Sequence, residues 1–312
     1  MTALPPVSFV VPVFNGAATL GEAVSSILDD NLYQDDEVVI VDDGSQDNSA
    51  EVALTLAAND SRIRVVKHRH NKGSANAARN TGIDNAVNDL LFNLDADNVL
   101  LPGSVKLLRT TRAGTGADAV AFGEIEYFDT SSGNKTHSWT MRDEITFMGN
   151  INAMTESPGG SGNFLYTREA WKRAGRCTEV VGAAWDSWAF AVDLLGTGSR
   201  IVCVPGTRYR HRTGYDSSFV RDQHKRNVSL LLLQVLLPYL HLIHPEDADY
   251  ITSRAGRLIW VDELGRRPLR SASGEDAVPP AATTPLSQRE LPVGVILKML
   301  SNKVKRRLPF GR

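Results

Sequence analysis

Short apolar runs and longer amphipathic stretches alternate along the first part of the chain. The runs are rich in valine, isoleucine, leucine and phenylalanine, which is typical of buried strands. The stretches between them have the length and spacing of helices. This alternation predicts an α/β fold in which a mostly parallel sheet is covered by helices on both faces. The predicted strands are Val7 to Phe14, Glu37 to Val41, Ile63 to Lys67, Asp89 to Leu94 and Ala119 to Tyr127.

Polar residues at capping distance indicate where two of the helices begin. Thr19 is followed three residues later by Glu22, and Asn48 is followed in the same way by Glu51. Each pair has the spacing of a capping box, in which both side chains bond the free N–H groups of a first helical turn. Ligands of parallel sheets bind beyond the carboxyl ends of the strands. A binding site is therefore expected there.

The amino-acid composition of the chain changes after residue 213. The leucine-rich run from Val228 to Ile243, interrupted by Pro238, is shorter than the roughly 20 apolar residues of a membrane span and predicts a helix packed on the main domain. A segment rich in proline, alanine, serine and threonine follows and reads as a flexible linker. The last segment is basic and amphipathic; it either lies on an anionic membrane surface or is a solvated or docked tail. The predicted divisions are 1–213, a helical extension 214–266, the linker 267–292 and the tail 293–312.

Composition excludes several classes of protein. The 312 residues carry a formal net charge of −2, which argues against nucleic acid as the main partner. Cys177 and Cys203 are the only cysteines and form no C-x-x-C pair, so neither a disulfide framework nor a structural zinc site is expected. The chain enters its first strand without a basic segment followed by an apolar one, so no signal peptide is predicted. We expect a cytoplasmic protein, with peripheral contact at the inner face of the membrane if the tail binds lipid.

Two carboxylates follow the apolar run that ends at Leu94. Strand alternation places Asp95 and Asp97 on the same side. Two hard oxygen donors at the end of a strand form half a coordination shell for Mg²⁺ or Mn²⁺, with a diphosphate supplying further ligands. The alternative is an ordinary turn rich in Asp and Asn.

Two further segments carry candidate ligand-binding groups. Asp42, Asp43 and Gly44 end the second predicted strand, where a carboxylate can accept hydrogen bonds from a base or a ribose and glycine permits close approach. An ordinary Asp-Gly turn is the alternative. The segment from Asn71 to Gly82 predicts a loop entering a helix of small residues, in which Lys72 or Arg79 faces a diphosphate. The alternative there is a tightly packed helix with solvated charges.

Together these segments resemble the inverting family 2 glycosyltransferases, which have the Rossmann-like GT-A fold. The resemblance spans about residues 6 to 213. It implies that Asp42 or Asp43 holds the nucleoside and that Asp95 and Asp97 hold the metal and diphosphate, with Asp97 the direct ligand. In some members a histidine completes the metal shell, and His211 is the candidate. The matching motifs are Val10 to Gly16, Val41 to Ser45, Ala78 to Gly82 and Leu94 to Asn98, and they add Pro12, Phe14 and Ala96 to the donor side.

The same resemblance implies an acceptor side and a catalytic base. Gly160 and Asn163 lie in a glycine-rich segment that corresponds to the loop lining the sugar and the acceptor, although a tight turn would explain them equally well. The family usually takes its base from the second residue of a Glu-Asp pair, and here Asp186 aligns with the first position and Ser187 with the second. A serine hydroxyl cannot replace that carboxylate at neutral pH, so Asp186 is the predicted base. The alternatives are an alignment displaced by one residue or a protein that is not a conventional catalyst.

The predicted activity is a metal-dependent, inverting transfer of a sugar from a nucleotide diphosphate sugar to a hydroxyl acceptor, in cell-surface glycan or glycolipid synthesis. The donor is expected to be a UDP-sugar and the cofactor Mn²⁺ or Mg²⁺. The acceptor is expected to be a hydroxyl group, and in one interpretation it belongs to a lipid-linked molecule. Two alternatives remain at this point. A non-catalytic nucleotide-sugar-binding or scaffold protein would explain Ser187. A sugar nucleotidyltransferase would need a glycine-rich phosphate loop where the chain has Pro12 to Gly16.

Overall fold

Strands form one mixed sheet at the centre of the molecule. The computed structural model describes residues 4–29, 31–149, 151, 154, 157–160, 163–179, 185–215 and 234–243. The predicted linker and tail, and most of the predicted helical extension, lie outside these residues. The strands are β1 Val7–Val13, β2 Glu37–Asp42, β3 Ile63–Lys67, β4 Leu90–Asn93, β5 Val99–Leu100, β6 Ala119–Asp129, β7 Lys135–Thr140, β8 Ile145–Phe147, β9 Phe164–Thr167 and β10 Ile201–Thr213.

Helices connect the strands and confirm the predicted alternation. The first capping box is wrong, because the helix begins at Ala17 after Gly16, so that Thr19 and Glu22 already lie inside it. The second helix does begin after Asn48, but without a hydrogen bond from that side chain. The helices are α1 Ala17–Leu28, α2 Ser49–Asn59, α3 Ala75–Asn85, α4 Ser104–Thr115, α5 Arg168–Arg173 and α6 Asp186–Gly196, with short 3-10 helices at Pro158–Gly160 and Leu237–Leu242.

The sheet is parallel in its first half and mixed in its second. Its strand order is β3-β2-β1-β4-β9-β6-β10-β5, with β7 paired to β6 and β8 to β10. Strands β1 to β4 pair in parallel, as predicted. Strand β9 lies between β4 and β6 and is antiparallel to both. The sheet therefore continues past β4 through a strand that comes from much later in the chain.

Alternate residues of each central strand belong to two different cores. In β1, Phe9 and Val11 pack with α1 and α4, whereas Val10 packs with α3, α5 and α6 on the other face. The same alternation divides Val38 from Val39 in β2. Successive side chains of a strand point to opposite faces, so a sheet covered on both sides needs continuous apolar runs. This is the physical reason why these runs could be recognised in the sequence.

Small residues bring α3 close to the sheet. A Cβ placed on Gly82 would lie 2.3 Å from the Val10 Cγ1 and 3.1 Å from the Val41 Cγ2. No larger side chain fits there without moving the helix, and the expected close approach of helix and sheet is confirmed.

Part of the leucine-rich run packs on one of the two apolar cores. Leu236 and Leu240 are buried in the same apolar cluster as α6, and the Tyr239 hydroxyl donates to Asp193 Oδ1 at 3.1 Å. Burial raises the pKa of Asp193 to about 7. The predicted packing is confirmed for residues 234–243, and the rest of the run lies outside the described residues. Within the described part of the chain, no helix has the length and apolarity needed to cross a membrane.

A fully buried ion pair joins α4 to the start of the sheet. Both oxygens of Asp36 accept from the Arg109 guanidinium, and they also accept from the backbone N–H groups of Val7 and Tyr33, each at 2.7 Å. The Arg109 guanidinium lies 4.5 Å from the centre of the Tyr33 ring. With both charges shielded from water, each depends on the other for its solvation.

We expect Asp36→Ala to lower the free energy of unfolding by about 3–5 kcal/mol, because Arg109 would stay buried without a counter-charge. Urea unfolding of the full chain measures this change. The neighbouring variant Asp35→Ala is the matched control, since Asp35 is exposed, and we expect it to stay within about 0.5 kcal/mol. Equal effects of the two variants would show that the ion pair is unimportant.

Candidate functional site

Carboxylates cluster at the carboxyl edge of the parallel strands. Asp42 is the last residue of β2, next to Asp43, and Asp95 and Asp97 follow the end of β4. Strand β1 lies between β2 and β4, so the two pairs flank the same end of β1. The predicted placement of both acidic motifs at this edge is confirmed.

The two carboxylates of the first pair have different surroundings. Asp43 accepts from the His68 imidazole Nδ1 at 2.6 Å and from the Lys72 backbone N–H at 3.1 Å. Asp42 accepts from the Ser45 N–H at 3.0 Å through Oδ1, while its Oδ2 is buried without a hydrogen bond and lies 3.8 Å from the Lys67 Nζ. Asp43 is therefore held by hydrogen bonds from the neighbouring loops of the protein. Asp42 has one buried oxygen that accepts no hydrogen bond and has the Lys67 ammonium group nearby.

His68 is a site residue that the motifs did not reveal. Its Nε2 lies 2.9 Å from the Thr81 hydroxyl, so the ring joins α3 to Asp43. The available signal was its position, because His68 follows the end of β3 as Asp43 follows the end of β2. Residues just after parallel strands meet at one edge, whatever their type.

The structure requires glycine at position 44 for its backbone conformation and for contact with a neighbouring loop, in addition to the predicted close approach of a ligand. The φ of Gly44 is +72°, and a Cβ there would lie 2.6 Å from the Asn71 backbone nitrogen. The residue thus allows two loops to touch. On the neighbouring β1–α1 turn, Phe14 is 38% exposed at the edge, whereas Pro12 is buried within β1. Of these two predicted donor residues, only Phe14 presents its side chain to solvent.

Arg79 joins the second carboxylate pair to the predicted base. Its Nη2 donates to Asp95 Oδ1 and its Nη1 to Asp186 Oδ2, both at 2.5 Å. Nη1 also donates to the Asn76 side-chain oxygen at 2.7 Å. Burial alone would lower the pKa of Arg79, but the two carboxylates raise it above its usual value. The side chain is only 4% exposed, so the structure gives Arg79 carboxylate partners where a diphosphate contact was predicted.

Asp97 is held by residues from the end of β10. The Tyr215 hydroxyl donates to Asp97 Oδ2, and the Arg212 Nε donates to the Asp97 carbonyl oxygen at 3.2 Å. Arg212 also pairs with Glu22 of α1, which fixes the loop to that helix. Burial and the charge of Asp95 raise the pKa of Asp97. No motif predicted that Tyr215 or Glu22 contributes to holding this loop, because each reaches it from a distant part of the chain.

The donor atoms at this edge fit a divalent cation. Asp95 and Asp97 supply hard carboxylate oxygens, and a positive charge near them would offset the repulsion that raises the pKa of Asp97. The neighbouring His211 imidazole acts to lower the pKa of Asp97, and its ring packs edge-on against Tyr127 at 5.2 Å. Among the described residues, no three His, Cys, Asp or Glu side chains already form a metal-binding group. A bound cation would therefore take part of its shell from a ligand.

Asp186 is the first residue of α6 and is largely buried. Its Oδ1 accepts from the Ser187 backbone N–H at 2.8 Å, while Oδ2 accepts from Arg79. Burial raises the pKa of Asp186, Arg79 lowers it and Asp95 raises it, and the net direction is upward. A carboxylate with a raised pKa is better suited to accept a proton than one in water.

The two predicted sugar-side residues lie behind the edge. Asn163 is 4% exposed, and its Oδ1 accepts from the Asp95 backbone N–H at 3.3 Å. Gly160 is buried, and a Cβ there would lie 2.2 Å from the Met154 sulfur. Packing within the protein therefore explains the glycine. Lys72 is exposed at the rim, and Ala96 lies beside Gly16 in the β1–α1 turn.

Comparison with known families agrees with this arrangement. The family model described as glycosyl transferase family 2 matches residues 8–173, from β1 to α5. The chain belongs to this family. The matched region includes both acidic pairs and Arg79, and it ends before Asp186.

Curated relatives align over parts of their length. Glycosyltransferase GlyG of Streptococcus pneumoniae is 37% identical over 41% of this chain and 42% of its own length. The GalNAc(5)-diNAcBac-PP-undecaprenol beta-1,3-glucosyltransferase of Campylobacter jejuni is 32% identical over 34% of each chain. Succinoglycan biosynthesis protein ExoU of Rhizobium meliloti is 38% identical over 39% of this chain and 36% of its own length. The aligned region thus spans less than half of each of these family members.

Among solved structures, S. aureus TarS 1-349 in complex with UDP-GlcNAc superposes with a TM-score of 0.57 and 14% identity, over 81% of this chain and 86% of that chain. Its complex with UDP gives a TM-score of 0.56 at 15% identity, over 81% of this chain and 85% of that chain. At this level of identity the likeness shows the fold. The predicted GT-A fold of this family 2 member is confirmed.

We expect Arg79→Met to lower the free energy of unfolding by about 3–5 kcal/mol, because Asp95 and Asp186 would lose their shared counter-charge. Urea unfolding measures this loss. Arg62→Met is the control: Arg62 is 37% exposed and pairs with Asp60, so less than about 1 kcal/mol is expected. A similar small effect for Arg79→Met would mean that the two carboxylates do not depend on it.

Proposed function

We propose that this protein is an inverting, metal-dependent glycosyltransferase that moves a sugar from a nucleotide diphosphate sugar to an acceptor hydroxyl. The observation that carries the proposal is the bridge from Asp95 through Arg79 to Asp186. It brings a carboxylate suited to a proton-accepting role next to the edge where family and fold lead us to expect the donor.

The donor side of the proposal rests on the two acidic pairs. The unpartnered Oδ2 of Asp42 is suited to accept a hydrogen bond from a uracil imide or a ribose hydroxyl. Lys72 is exposed, and its backbone N–H bonds Asp43, the residue next to Asp42. Its side chain would therefore meet a phosphate of a donor bound at this edge. A uridine donor is favoured by the UDP-GlcNAc complex of the similar TarS structure.

A Mn²⁺ or Mg²⁺ ion would be held by Asp97 and Asp95, and His211 would become a further ligand only by moving towards them, since these three side chains do not form a metal-binding group in the structure. The ion would supply positive charge against the diphosphate as that group departs. The chain's own part is to hold the carboxylates in place, through Arg79, Tyr215 and the Asn163 amide.

Asp186 would act as the general base. In a single displacement, the acceptor oxygen bonds the anomeric carbon while the bond to the diphosphate breaks, and Asp186 takes the hydroxyl proton. This inverts the anomeric configuration. The base must be ionised beforehand, so turnover should fall as the pH drops through the raised pKa of Asp186.

The acceptor is proposed to be a hydroxyl of a lipid-linked or cell-surface glycan. The names of the Campylobacter jejuni relative and of ExoU favour this class. Peripheral contact with the inner face of the membrane through the basic tail remains a prediction, because residues 293–312 lie outside the described part of the chain.

A non-catalytic donor-binding protein is the second candidate. One observation favours it: both oxygens of Asp186 already accept hydrogen bonds, from Arg79 and from the Ser187 backbone. A base must release or share one of these bonds when it meets the acceptor hydroxyl. Turnover measurements separate the two candidates.

Calorimetric titration of the full chain with UDP, GDP and dTDP, each with and without Mn²⁺, tests the donor site. We expect binding of UDP that depends on Mn²⁺. Absence of binding by all three nucleotides would contradict both candidate functions.

We expect Asp97→Ala to abolish Mn²⁺-dependent UDP binding without unfolding the chain, because it removes the proposed direct ligand. Calorimetry reports the binding and circular dichroism the fold. Asp84→Ala is the control, since Asp84 is half exposed on α3 and pairs with Arg176. Binding by Asp97→Ala at wild-type affinity would remove the metal-site assignment.

We expect Asp186→Asn to reduce turnover by about 10²–10⁴-fold with UDP affinity nearly unchanged, because an amide cannot take the acceptor proton. Release of UDP in the presence of acceptor measures turnover. Ser187→Ala keeps the backbone N–H that bonds Asp186 and should remain active. Full turnover in Asp186→Asn would show that another group is the base.

A further inference from the structure

A small, partly enclosed cavity lies behind the Asp95 loop. Its volume is about 10 Å³, and its lining comes from α3, β9, α6 and the end of β4. A volume of roughly 10–15 Å³ is the space that one water molecule occupies in a protein. The cavity therefore has room for one water and no larger ligand.

Four of the residues that line this cavity carry a buried polar atom without a hydrogen-bond partner. Leaving such atoms unpaired typically costs about 1–3 kcal/mol each, so most buried polar groups have a protein or water partner. Other described residues also carry such atoms, but here four of them line one cavity, which indicates a shared partner. The four atoms are Arg79 Nε, Asn93 Oδ1, Asn163 Nδ2 and Tyr166 Oη.

We propose that this cavity is an internal water site. One water molecule can meet all four atoms: it accepts from the Arg79 Nε–H and an Asn163 Nδ2–H, and it donates to Asn93 Oδ1 and Tyr166 Oη, while the Tyr166 O–H faces the neighbouring Asn93 side chain. Buried waters make about three such bonds, with a range of two to four. One molecule satisfies all four atoms.

The water holds the candidate site in position from behind. Arg79 bonds Asp95 and Asp186 through its outer nitrogens, and Asn163 bonds the Asp95 backbone N–H. Both of these residues would be bonded by the water on their other side. The water site itself rests on the cavity and its four polar atoms. Its effect on ligand binding rests in addition on the proposed function.

A crystal structure of the full chain at about 1.8 Å resolution or better tests the water directly. We expect one density peak within hydrogen-bond distance, about 2.7–3.2 Å, of the four polar atoms. An empty cavity, or side chains that bond one another across it, would overturn the proposal. This result does not depend on whether the protein binds a nucleotide.

Tyr166→Phe tests the positioning role, because it keeps the ring and removes one partner of the water. We expect UDP affinity in Mn²⁺ to fall about fivefold, the equivalent of one net hydrogen bond of about 1 kcal/mol. Tyr239→Phe is the matched control, since it removes a hydroxyl that bonds Asp193, seven residues further along α6 than Asp186. Equal UDP affinities of the two variants would overturn the positioning role. A wild-type chain that binds no UDP would instead contradict the proposed function and leave the density test to decide the water site.

Discussion

The arrangement of the candidate site depends on the buried guanidinium of Arg79. One positive charge from α3 lies between Asp95, which follows β4, and Asp186, which begins α6. Removing ions from water is costly, and the cost is offset only when the geometry satisfies the charges on each side. Arg79 meets this condition with two carboxylates and the Asn76 amide. The consecutive elements α3 and β4 are thereby fixed to α6, which comes much later in the chain, at one edge of the sheet.

The two carboxylates of each acidic pair differ in their protein partners. Asp43 bonds His68 and the following loop, and Asp95 bonds Arg79, so these two are held by the protein on several sides. Asp42 keeps a buried oxygen without a hydrogen bond, and Asp97 has a raised pKa that a nearby positive charge would lower. Adjacent or near-adjacent acidic residues repel each other. Pairing one member with a protein cation or N–H group offsets this repulsion, and this lowers the free-energy cost of keeping the other member ionised.

Local sequence patterns predicted the central strands, whereas the features that were missed depend on contacts between residues distant in the sequence. The central strands are continuous apolar runs because both faces of the sheet are covered, and their ends could be read directly. Strand β9, Phe164–Thr167, was not predicted, because its place between β4 and β6 depends on pairing with residues distant in sequence. The contact of Arg79 with Asp186 spans 107 residues, and no motif records it. Packing against Met154 explains Gly160 better than the ligand contact that its motif predicted.

The position of Ser187 is best understood together with the bridge. In the proposed reaction the base must be a carboxylate, and Asp186 is the carboxylate that begins α6, one residue before Ser187. Its bond to Arg79 lowers its basicity, while burial and Asp95 raise it. Because Arg79 also bonds Asp95, charge that arrives on the donor side alters the same guanidinium that stabilises the base. In the proposed reaction, donor binding and proton acceptance would therefore be coupled through one side chain, and this coupling would allow a carboxylate bonded to arginine to serve as the base.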